Sequence, residues 1–160
     1  MPDARGSDER FAYALVSAVP LQDSDAIGIG IIFKAPDRST LRTLCRAAHD
    51  TDATTAAYEA VMTVLDEALA SGVGRPTIYL DNADVVRQLT GQEPAPRELW
   101  PLNLRIRAMI NQVGRPQLVA ANAAMRFSAR RLAAAADPGS PNVRRFEPRQ
   151  LSLLSVDAVV

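Results

Sequence analysis

The sequence predicts an α/β domain that begins with three antiparallel strands and has a helix–strand–helix unit at its centre. Three observations predict it. Between Thr54 and Gly91 the apolar residues Ala57, Val61, Val64, Leu65, Ala68 and Leu69 recur at helical spacing, a short apolar segment follows, and a second helical pattern starts directly after it. Ahead of that unit lie three strand-like segments separated by turn residues. The chain has 160 residues, 48% of them hydrophobic, which suffices for one domain with a buried core.

Residues 1–10 are polar and are expected to form a mobile lead-in. Phe11–Leu21 is rich in apolar residues and stops at Pro20, the pattern of a first strand. Gln22-Asp23-Ser24-Asp25 is a turn. Ala26–Lys34 is nearly all apolar, as a central strand covered on both faces must be. Its Gly28 and Gly30 leave room for a closely packed element, expected to be the long helix. They are no dinucleotide fingerprint, because a third glycine is missing and the segment is a strand. After Pro36-Asp37-Arg38 turns the chain, Thr40–Ala48 alternates. Leu41, Thr43, Cys45 and Ala47 share one side and Arg42 and Arg46 the other, so a third strand with one wetter face is expected.

Gly72 and Gly74 end the long helix, since glycine takes the left-handed conformation at no steric cost. Pro76 then opens a fourth strand, Thr77–Leu80, with Asp81 at its carboxyl end, where α/β domains place their ligands. A second helix starts at Ala83 and stops at Gly91. Beyond the loop Gln92–Pro96, a third helix over Arg97–Val113 turns Leu99, Leu102, Ile106, Met109 and Val113 to the core. Pro101 is tolerable there only in the first turn. Trp100, near the helix start, is expected in the core, with an interface anchor as the alternative. Gln117–Ala121 reads as a fifth strand and Ala123–Ala136 as the last helix. The domain therefore spans residues 11–136, and residues 137–160 form a tail.

The formal net charge is zero, so no bulk basic field points to nucleic acid or an anionic membrane. Lys34 is the single lysine; with the many alanines this composition reflects GC-rich coding of the actinobacterial type. Cys45 is the only cysteine, which excludes an internal disulfide and a multi-cysteine zinc site. No apolar run is long enough to span a membrane and no signal-peptide pattern is present, so a cytoplasmic location and no membrane partner are expected.

Several motifs occur together without gaps. Thr54-Thr55-Ala56-Ala57-Tyr58-Glu59-Ala60 opens the long helix and Gly72-Val73 closes it. Asp81-Asn82 ends the fourth strand, and Val85-Val86-Arg87-Gln88-Leu89-Thr90-Gly91 follows. With Gly28-Ile29-Gly30-Ile31-Ile32 in the second strand, this pattern resembles the ribonuclease H-like superfamily, in particular ribonuclease HI and the small bacterial reverse-transcriptase-like members. The resemblance covers about residues 11–136. It implies a ribonuclease H-like fold with a five-stranded mixed sheet and helices on both faces.

The resemblance also implies a cluster of four carboxylates holding two divalent metals, which stabilise the attacking and leaving oxygens of a phosphodiester. Its positions fall one by one on Ser17, Ala57, Asp81 and Arg130. Asp81 alone is a carboxylate, and Arg130 carries the opposite charge. The family's loop histidine is missing, since that loop reads Ala121-Asn122-Ala123, and His49 lies elsewhere, at a strand end or on the surface. Glu59 stands two residues past Ala57, about 200° round the helix, and faces away.

A catalytically inactive ribonuclease H-like protein without a cofactor is therefore expected. In it Arg130 pairs with Asp81 in place of metal, or Arg126 does so if the last helix sits one turn differently. The opposing expectation leaves both arginines in solvent and has Asp81 cap the following helix. Three functions remain open. RNA, an RNA–DNA hybrid or DNA would meet a basic stripe of Arg126, Arg130, Arg131, Arg144, Arg145 and Arg149, with no aromatic residue interleaved and with an acidic first turn opposing the family's usual pose. The apolar tail residues Leu151, Leu153, Leu154, Val156, Val159 and Val160 either pack on the domain's own surface or, in a protein-interaction or scaffold module, meet a partner or a second copy. A divergent nuclease would hold magnesium or manganese on Asp81 and Asp84.

Overall fold

The computed structural model describes residues 10–139; residues 1–9 of the expected lead-in, Arg144, Arg145, Arg149 and the apolar tail residues lie outside them. Strands β1 (Tyr13–Pro20), β2 (Ile27–Lys34) and β3 (Thr40–Ala48) come first, followed by helix α1 (Ala53–Ser71), strand β4 (Thr77–Leu80) and helix α2 (Ala83–Leu89). A single 3-10 turn, Arg97–Leu99, leads into α3 (Trp100–Val113), and β5 (Gln117–Ala120) and α4 (Ala123–Ala134) complete the order. The five strands form one sheet in the order β3-β2-β1-β4-β5. β1, β2 and β3 pair antiparallel, whereas β1–β4 and β4–β5 are parallel. This is the mixed sheet the resemblance implies.

The helix ends follow from short polar caps. Asp52, Asn82 and Asn122 each accept a hydrogen bond from the backbone N–H three residues on, at 2.7, 3.1 and 2.9 Å. Gly72 closes α1 in the left-handed conformation, φ 69°, and its neighbour Val73 returns an N–H to the Ala68 carbonyl at 2.8 Å. Pro101 falls at the start of α3, where its missing N–H costs nothing.

Two cores flank the sheet. On one face Val16, Ile27, Ile29, Ile31 and Phe33 meet α1 through Ala57, Val61, Val64, Leu65 and Ala68. On the other, Leu15, Ile32, Cys45 and Ala47 meet α4 through Ala129 and Leu132. β2 is buried along almost its whole length, as a strand covered twice must be.

Four expectations need correction here. Gly28 and Gly30 face α4, not the long helix. A Cβ on Gly30 would stand 2.6 Å from the Ala133 nitrogen, and one on Gly28 would collide with the Ala133 carbonyl oxygen. The sequence could not choose between the faces, because both carry a helix. Leu41 joins the α1-side core rather than the side of Thr43 and Cys45, since a register shift between Phe33 and Lys34 breaks the alternation. Leu69 is exposed although its neighbour Ala68 is fully buried, so it falls outside the buried stripe of α1. Trp100 is 53% exposed instead of buried. Its indole N–H donates to the Ala95 carbonyl at 2.9 Å, and the Arg97 guanidinium lies 5.9 Å from the ring centroid. The wetter face of β3 is real: Arg42 pairs with Glu67, and Arg46 lies 3.9 Å from Glu59, both on α1.

Candidate functional site

The parallel ladder between β1 and β4 sets Val16 opposite Leu80, and the Asp81 N–H extends that ladder to the Val16 carbonyl at 2.9 Å. Ser17 and Asp81 thereby become neighbours. Ser17 is fully buried, and its hydroxyl donates to Asp81 Oδ2 at 2.9 Å. Ser17 lies opposite Gly30 in the β1–β2 register, on the face that α4 covers. Because Gly28 and Gly30 bring no side chain, the α4 backbone at Ala129 and Ala133 comes down onto β2. That close seat delivers the intervening Arg130 to the strand end.

Arg130 closes the site. Its Nε donates to Asp81 Oδ2 at 2.5 Å and its Nη2 to Oδ1 at 2.9 Å, so both carboxylate oxygens are taken in a fork. The Asp81 side chain is 4% exposed and that of Arg130 57%. Asp81 raises the Arg130 pKa, first through the hydrogen bond and then through its charge, against a smaller opposing effect of burial. Arginine is protonated across the physiological range in any case, so the geometry rather than this shift defines the pair. The ion pair expected from the sequence is therefore present, and Arg130 rather than Arg126 makes it. Asp81 does not cap α2; Asn82 does.

The remaining positions fall as follows. Ala57 is buried in the α1-side core and offers only a methyl group. Asp84 is engaged with Arg87, which also reaches Glu93 at 3.0 Å. Glu59 is turned to Arg46 on β3. Among the described residues no three histidine, cysteine, aspartate or glutamate side chains gather as a metal would need. A hydroxyl, a methyl, one engaged carboxylate and a guanidinium do not fit the metal pair implied by the resemblance, because hard cations need several oxygen donors.

Arg126 and Arg131 flank Arg130 on α4, and with Phe127 they line a shallow hollow on its outer side. Phe127 is 62% exposed, and the Arg131 guanidinium sits 5.1 Å from its ring centroid. An aromatic residue thus is interleaved with these arginines, contrary to the sequence reading. The i, i+3 and i+4 spacing in Arg126-Phe127-Ser128-Ala129-Arg130-Arg131 is the signal that was there to find. Also missed was a polar node between three helices. Tyr58 donates to Gln88 Oε1 at 2.7 Å, and Asn103 Nδ2 reaches the Tyr58 hydroxyl at 3.3 Å and the Gln88 carbonyl at 3.2 Å. Burial raises the Tyr58 pKa, and the Asn103 hydrogen bond partly offsets it.

The sheet order, the helices on both faces and the strand-end aspartate define a ribonuclease H-like fold. The same fold appears in the N-terminal RNase H domain of a Mycobacterium tuberculosis protein, solved as a fusion with maltose binding protein, at TM-score 0.69 and 21% identity over 78% of this chain and 96% of that one. An RNase H1 isolated from compost by a metagenomic approach matches at TM-score 0.70 and 18% identity, over 78% and 93% of the two chains. The complex of that enzyme with an RNA/DNA hybrid matches at TM-score 0.69 and 18% identity, over 78% and 94%. No family model and no curated protein matches the sequence. Among the described residues no helix is long and apolar enough to cross a membrane.

Proposed function

We propose that this chain is a ribonuclease H-fold protein that binds nucleic acid without cleaving it. The observation that carries this reading is the forked bond from Arg130 to both oxygens of Asp81. A guanidinium in that place supplies one fixed positive charge and no open coordination position, so no attacking water is activated there. The binding half draws support from a fold neighbour solved with an RNA/DNA hybrid, and from Arg126, Phe127 and Arg131 standing together on the outer side of α4. Arg130 is not counted with them, since Asp81 holds it. Asp25, Asp50 and Asp52 gather beside the first hairpin and repel phosphate there, which directs the strand toward α4.

The test combines calorimetric titration of magnesium and manganese, a hybrid cleavage assay, and binding of labelled hybrid, RNA and DNA at several salt concentrations. The reading expects no metal-dependent cleavage and an affinity that falls steeply with salt, by roughly one unit of slope per phosphate contact. Stoichiometric metal binding with cleavage would support the divergent nuclease instead, which requires Arg130 to release Asp81. Absence of nucleic-acid binding at low salt would leave the protein-interaction reading, for which exposed Trp100, Leu104 and Phe127 are the described anchors.

A further inference from the structure

A second hollow opens between the end of α2 and the start of α3, away from Asp81. Gln88, Gly91 and the segment from Gln92 to Ala95 form one side, and Trp100, Asn103, Leu104 and Arg107 the other. Its floor is unusual for a surface dent. Asn103 is 6% exposed, yet only its Nδ2 is used, toward Tyr58 and Gln88. Among the described residues no donor reaches Asn103 Oδ1, and Gln88 Nε2 finds no acceptor, since Gln88 is engaged through Oε1 and its carbonyl. No fully buried side-chain nitrogen or oxygen among the described residues lacks a partner, so the Asn103 oxygen opens into the hollow that Asn103 lines. One amide acceptor and one amide donor thus face the same space. Trp100 stands beside them, its ring fixed by the bond to Ala95. At the rim Arg107 lies along Gly91 and pairs with no acidic side chain among the described residues.

We propose that this hollow takes one unstacked nucleobase with its phosphate at Arg107. A planar base matches a fixed indole for stacking. Its edge presents a donor and an acceptor side by side, which is what the Asn103 oxygen and the Gln88 amide complement. Leu104 supplies apolar contact at the mouth. The base comes from a single-stranded segment or from a free nucleotide. The first source rests on the nucleic-acid reading above; the second does not.

Trp100 is the only tryptophan of the chain, so its fluorescence reports the stack directly. The full chain is titrated with the four nucleoside monophosphates, with ribose 5-phosphate, and with labelled single-stranded RNA hexamers read also by anisotropy. Saturable quenching by a monophosphate but not by ribose 5-phosphate establishes the site for free nucleotide. Quenching by hexamers alone establishes it for a strand end or loop. Trp100→Ala weakens hexamer binding by about 5- to 150-fold, the span of one stacked base, and Trp100→Phe restores most of it. Arg107→Ala lowers the salt slope by about one. Hexamers or hybrid that bind with unmoved fluorescence, and equally well to Trp100→Ala, overturn the hollow and leave the nucleic-acid reading standing. Hybrid that fails to bind while a monophosphate quenches does the reverse. Equal responses to ribose 5-phosphate also overturn the proposal.

Discussion

Replacing Arg130 with alanine tests the centre of the molecule most directly. The substitution removes two charge-assisted hydrogen bonds, at 2.5 and 2.9 Å, and leaves Asp81 with the Ser17 hydroxyl alone. Removing one partner of a fully buried pair costs about 3–5 kcal/mol, because the other charge stays uncompensated. An exposed pair is worth only about 0–1 kcal/mol. This pair is mixed, with Asp81 4% and Arg130 57% exposed on their side chains. Water can partly replace the guanidinium, so about 2 kcal/mol is expected. In a domain of this size that lowers the melting temperature by about 6–8 °C. Urea denaturation of the wild type, Arg130→Ala, Asp81→Ala and the double variant gives the pair's own coupling, expected near 1.5–2 kcal/mol. Arg126→Ala, one turn away and exposed, serves as control and should cost under about 0.5 kcal/mol. If Arg130→Ala matched that control, or the cycle gave no coupling, the closed ion pair would be refuted, and with it the argument against metal at Asp81.

Further expectations follow from the same geometry. Ser17→Asp combined with Arg130→Asp would place three carboxylates about one point. That variant should melt higher when manganese is added, while the wild type should not move; an unresponsive variant would mean that these positions do not converge on one point. Gly30→Ala drives a methyl into the α4 backbone and should destabilise by about 1–3 kcal/mol, with a neutral outcome in thermal melts ruling out the close seat of α4. Tyr58→Phe removes the hydroxyl joining α1, α2 and α3 and should cost about 1–2 kcal/mol in urea titrations. Cys45 is fully buried and donates to the Leu132 carbonyl, so a thiol reagent should label it only at the rate of opening, and fast labelling of native protein would contradict the α4 packing.

Much of the fold was legible in the chain itself. The elements, their order and nearly all their ends are local matters: period-2 and period-3.6 patterns and Gly72 as a stop. The residue identities at Ser17, Ala57 and Arg130, where the resemblance implies carboxylates, were likewise readable, and the pairing of Arg130 with Asp81 was one of the alternatives the sequence left open. What stayed hidden depended on which surfaces meet. Gly28 and Gly30 could have served either face, and only the packed sheet shows that they admit α4 and so bring Arg130 to the strand end. A bulge moved Leu41 across the sheet, Arg87 took Asp84 as its partner, and the Ala95 carbonyl held Trp100 at the surface. The polar node of Tyr58, Gln88 and Asn103 joins residues far apart in the chain. Local pattern records how each segment satisfies its own backbone and which stripe it buries. Partner choice between segments is settled only when volume, register and every buried polar group are satisfied together, and that is a property of the tertiary structure.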